Sequence, residues 1–118
     1  MAAEGGIPAT EGLVFDREGT LQRLGDDAEL LALALNAFNC EASELLAAVR
    51  EAIDTGGEPL VRRAHSLKGA ALSIGAMRLA GHAEAIELGV ATATRERLLT
   101  EMSAAEEAYA AFRRETLG

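Results

Sequence analysis

Apolar residues recur along most of this chain at steps of three and four, the spacing that lines one face of an α-helix. The longest such pattern runs through DAELLALALNAFNCEASELLAAVREAI, where Leu31, Leu35, Phe38, Ala42, Leu45, Val49 and Ala52 form one stripe. Asp26 or Asp27 is placed to cap its start, and Thr55-Gly56-Gly57 to end it. Unbroken to Asp54, that helix would be roughly 40 Å long at ~1.5 Å per residue. A second long helix starts near Glu58-Pro59, proline being tolerated in a first turn. Its stripe is Leu60, Ala64, Leu67, Ala71 and Ile74, with Gly75 as the C-cap. A third begins near Met77 with Leu79, Ala83, Ile86 and Val90 inward, and the last, capped by Thr92 or Thr94, turns Leu98, Met102, Ala105, Tyr109 and Phe112 inward. Ahead of them, Asp16 caps a short helix through DREGTLQRL that Gly25 closes. Amphipathic helices joined by short loops predict an all-α fold: an antiparallel up-down four-helix bundle with a short extra N-terminal helix. Residues 1–12 carry Gly, Pro and Thr without periodicity and read as a disordered tail, which leaves 13–118 as one bundle domain.

Composition sharpens this picture. Hydrophobic residues make up 49% of the 118 positions but aromatics only 3%, so Ala and Leu must build the helical seams. A formal net charge of −8 argues against nucleic acid and anionic lipid, both of which call for a Lys/Arg footprint. No apolar run approaches the ~20 residues that span a bilayer, and MAAEGGIPATEG has neither the basic nor the apolar region of a signal peptide. Cys40 is the single cysteine, so no internal disulfide framework exists and the reducing cytoplasm is the expected location. On its helix it reads as a small packing residue.

The chemistry concentrates in AHSLKGAALSIGA, residues 64–76. Ala64 and Leu67 lie on the inward stripe, which sets His65 just off the seam. Lys68, Gly69 and Leu72 share its face at i+3, i+4 and i+7. One imidazole, one cation, a missing side chain and an exposed leucine therefore occupy one surface. Glycine inside a helix costs roughly 1 kcal/mol relative to alanine. Gly69 either opens a path to the imidazole or lets two helix backbones approach closely. His82, beside Gly81, lies off the inward stripe with no lysine to assist it. No H-x₃-H or cysteine-rich spacing joins it to His65 as a metal site, so no metal is expected. No Gly-rich nucleotide loop is present, which speaks against an ATP-dependent kinase.

His65-Ser66-Leu67-Lys68-Gly69, followed by Ser73 and Gly75-Ala76, resembles the signature of histidine-containing phosphotransfer (HPt) domains, commonly H-[ST]-L-K-G, small residues, Asn or Ser, then Gly-Ala. Leu79, Ala83 and Ile86-Glu87 match the family's following helix, and the likeness spans about Phe15 to Phe112. The resemblance implies a phosphorelay intermediate of two-component systems. His65 would accept a phosphoryl group from a receiver-domain phosphoaspartate through Nε2 and pass it to another receiver's aspartate. Lys68 would offset phosphate charge. Glu87 would orient the imidazole by accepting from Nδ1–H, its alternative being a solvated surface carboxylate. Gly69, Leu72 and Ser73 would form the receiver-docking surface, although Ser73 could equally fill a helix crossing. The implied partners are receiver domains of response regulators, of hybrid histidine kinases, or of both. The receiver brings Mg²⁺, so the chain itself needs no cofactor, and a monomer is expected. An HPt-like adaptor that docks receivers without carrying phosphate is the competing reading.

Overall fold

The structure, a computed structural model, describes residues 13–117, so the expected tail at 1–12 lies outside the described residues. Five helices follow in order: α1 (Arg17–Arg23), α2 (Ala28–Thr55), α3 (Gly57–Ile74), α4 (Met77–Gly89) and α5 (Arg95–Leu117). Each of α2 to α5 packs on the next, and α5 returns to α2, closing a four-helix bundle to which the short α1 is added. The caps explain the boundaries. Asp16 accepts from the Gly19 amide, Asp27 from those of Glu29 and Leu30, and Thr94 Oγ1 from Arg97. One residue, Gly56, separates α2 from α3, and two, Gly75 and Ala76, separate α3 from α4. Connections that short force antiparallel neighbours.

The core is a ladder of Leu and Ala capped by aromatics at one end. Leu60, Ala64, Leu67, Ala71 and Ile74 of α3 are all buried, as their spacing requires. In α2 six of the seven expected positions, Leu31, Leu35, Phe38, Ala42, Val49 and Ala52, are buried. Leu46 rather than Leu45 is buried, and Ile53 joins Ala52. A straight helix turns every 3.6 residues, so a stripe read at 3.5 drifts by ~20° per heptad. The same drift places Ala108 in the core and leaves Tyr109 half-buried on α5, while Val90 falls just past the end of α4. Phe15, Phe38, Tyr109 and Phe112, all the aromatic residues of the sequence, make one edge-to-face cluster with centroid spacings of 5.2 to 6.1 Å. By length and mean hydropathy (1.2), α2 is the described helix that resembles a membrane span. Glu41 and Glu44 break its apolar runs, and eight of its residues belong to the bundle core.

The N-terminal segment is fastened to the α3–α4 turn. The Asp16 amide donates to Gly75 O (2.8 Å), the Arg78 amide to Leu13 O (2.8 Å), and Arg23 Nη2 to Leu72 O (3.3 Å). Gly75 has φ +81°, and a Cβ there would meet Thr20 Oγ1 and lie 2.9 Å from Asp16 O. Thr20 is fully buried, with its hydroxyl donating to Asp16 O, so it has little room to yield. Gly75→Ala therefore adds left-handed strain of ~1–2 kcal/mol to an overpacking cost of about 1–3 kcal/mol. The expected outcome is a melting temperature lower by about 10 °C or more, read by circular dichroism.

Candidate functional site

His65 occupies the middle of α3, one residue past the fully buried Ala64, so its side chain leaves the seam and is 66% exposed. The next helix supplies its partner. Glu87, near the end of α4, accepts a hydrogen bond from His65 Nδ1 at 3.0 Å through Oε2. Its other oxygen, Oε1, lies 2.9 Å from Lys68 Nζ. Glu87 and Lys68 are far less exposed than the imidazole, at 17% and 21%, so one carboxylate bridges the histidine and the lysine along the α3–α4 groove. The Lys68 ammonium, and after it the imidazole, hold the Glu87 carboxyl below the usual carboxylate range despite partial burial. Glu87 in turn raises the Lys68 pKa, with Glu84 adding a weaker pull. At neutral pH both groups are ionised. An ionised carboxylate only accepts, so Nδ1 carries the ring proton, and in the neutral ring Nε2 keeps its lone pair.

Gly69, Leu72 and Ser73, the other expected residues, lie further along the same helix. Gly69 lies one turn beyond His65, and a Cβ built on it meets nothing within 4 Å. That rules out close helix packing as its reason and leaves open space beside the imidazole. Leu72 is 44% exposed on the same face. Ser73 is exposed too; its hydroxyl donates to Ala70 O of its own helix (2.9 Å), so it does not fill a helix crossing. Cys40 is likewise exposed rather than packed.

His82 corrects the sequence reading. It is only 3% exposed, and its Nδ1 donates to Glu101 Oε1 at 2.7 Å, tying α4 to α5. Leu79, His82 and Ile86 share one face at steps of three and four, and α4 is flanked by α3 and α5, so it buries more than a single stripe. The i+3 spacing from Leu79 was the available signal. Among the described residues no three His, Cys, Asp or Glu side chains converge as metal ligands. A groove of about 420 Å³ between α4 and α5 is lined by Arg78, His82, Glu107, Ala108 and Arg114, not by His65. His65 instead projects from the bundle surface.

The family model described as Hpt domain matches residues 17–115, which takes in all five helices nearly end to end. Against curated proteins and solved structures the chain finds no match.

Proposed function

Because this chain belongs to the Hpt domain family, whose members carry phosphoryl groups between histidine and aspartate in two-component systems and are not autonomous kinases, we propose that His65 is its phosphorylated residue. The observation that carries the proposal is the His65 Nδ1–Glu87 contact at 3.0 Å on a ring otherwise open to solvent. It leaves Nε2 as an exposed nucleophile whose tautomer is already set.

The step follows from that arrangement. A receiver domain docks over Gly69, Leu72 and Ser73 and presents its phosphoaspartate to Nε2. The Nε2 lone pair attacks phosphorus, an N–P bond forms, and the P–O bond to the aspartate breaks with its electron pair leaving on the carboxylate. The Nδ1 proton stays in place. Positive charge developing on the ring faces the Glu87 carboxylate, while Lys68 offers its charge to the phosphoryl oxygens. Any Mg²⁺ the transfer needs would come with the receiver, and this chain's residues would position the nucleophile. The reverse step delivers the group to a second receiver. Receiver domains of response regulators, hybrid kinases or both would serve as partners of a monomeric, cytoplasmic domain comprising residues 13–118.

The test uses a receiver domain charged with acetyl phosphate. Mixed with it, the chain should gain an acid-labile, alkali-stable label, assigned to Nε2 by NMR, and ATP alone should leave it unlabelled. Receiver binding without any label would make the chain a docking adaptor instead. Lys68 contributes charge and no bonding atom, so Lys68→Ala should slow transfer by about tenfold without abolishing it. Complete loss in a folded Lys68→Ala protein would assign the lysine a larger part.

A further inference from the structure

Positive charge is unevenly placed in this acidic chain. Helix α3 holds three of the eleven Lys and Arg residues but only one of the nineteen Asp and Glu, so the helix bearing His65 is basic in an acidic protein. Its cations are differently engaged. Lys68 is held by Glu87 at 2.9 Å and drawn also by Glu84. Arg63 lines a groove against Glu51 and Thr55 of α2, on the other side of the helix. Arg23 of α1, at the C-terminal end of α3, is spent on the Leu72 carbonyl and the Thr20 hydroxyl. Arg62 differs from all of these. It stands one turn before His65 on the same face, is 68% exposed, and among the described residues pairs with Glu58, itself exposed, at a loose 3.7 Å. An exposed i,i+4 pair of that kind is readily exchanged for a better partner.

From these placements we infer that Arg62 is a recognition residue for the docking partner, pairing with a carboxylate on the receiver surface beside its phosphorylation site. The inference rests on the reading of His65 as the phosphoryl acceptor. Arg62 and Lys68 bracket the imidazole one turn to either side, and Gly69, just past Lys68, leaves the surface beside the imidazole low. A guanidinium offers a planar fork of donors that fits a carboxylate in two parallel hydrogen bonds. The chain as a whole, at net −8, repels an acidic partner at long range, so a local cation beside the nucleophile selects the approach that brings the receiver onto α3. Arg62 makes no contact with the imidazole's partners, which separates recognition from chemistry.

The experiment measures transfer to the intact chain from an acetyl-phosphate-charged receiver domain that labels the wild type, across receiver and salt concentrations. Arg62→Ala should raise the half-saturating receiver concentration by about fivefold, and Arg62→Glu by more, with the rate at saturation changed less than about twofold. Arg62→Lys should recover part of the loss, since it keeps the charge but not the fork. The half-saturating concentration of the wild type should rise with NaCl, and that rise should flatten in Arg62→Ala. Arg97→Ala, an exposed cation on α5, should behave as wild type and control for net charge. Unchanged half-saturation in both Arg62→Ala and Arg62→Glu, with His65 labelled normally, would overturn the inference while leaving the phosphotransfer reading intact. A wild-type chain that no receiver labels at His65 would overturn both.

Discussion

Replacing His65 by glutamine is expected to abolish phosphoryl acceptance while leaving the bundle folded. Glutamine can keep a hydrogen bond toward Glu87, but its amide nitrogen has no lone pair available for attack, so no N–P bond can form. The side chain is 66% exposed and lies outside the buried seam, so the melting temperature should move by less than a few degrees. The informative comparison is His82→Gln. That ring is buried and bonded to Glu101, so the substitution should destabilise the protein by about 1–3 kcal/mol yet keep the label at temperatures where the protein stays folded. Denaturation curves and label retention on the two variants should thus move in opposite senses. Label persisting on a folded His65→Gln protein would place the acceptor elsewhere and defeat the central assignment.

Gly69→Gln should separate access from stability. A side chain at 69 projects from the turn after His65, on the face an incoming phosphoaspartate must cross. A Cβ there meets nothing within 4 Å, so the side chain leaves the helix into open space. The substitution also replaces a poor helix former with a good one, for an expected gain of roughly 0.5–1 kcal/mol. The protein should therefore melt at the same temperature or slightly higher. Transfer should nevertheless fall by about a hundredfold, as misplacement of the reacting atoms by about 1 Å can cost that much. Gly69→Ala, which adds a single methyl group, should fall between the two. A marked drop in melting temperature for Gly69→Gln would mean that the glycine serves packing after all. Full transfer in a stable variant would remove steric access as its reason. Gly75, six residues further on, makes the contrast. There a positive φ, the Asp16 carbonyl and the Thr20 side chain all demand glycine, so substitution should damage the fold rather than the chemistry.

The amino-acid sequence by itself determines the helical architecture, because helix boundaries and buried stripes follow from local rules that act within a few turns. Asp16, Asp27 and Thr94 satisfy amides two or three residues ahead, and Leu60 to Ile74 share a face through the pitch of the helix alone. It also makes His65, Lys68 and Gly69 neighbours, since they lie within four residues on one helix. Three matters were decided only when helices met. Glu87 had two open readings because its distance from His65 depends on how α4 lies along α3, and packing brings its carboxylate within hydrogen-bonding distance of the ring. Gly69 could have lain at a helix crossing or in the open, a question only the positions of neighbouring helices answer. His82 looked peripheral while α4 was credited with one buried stripe. Once α3 and α5 flank that helix, a wider face leaves water, and the imidazole must find Glu101 on another helix because a buried polar group without a partner is costly.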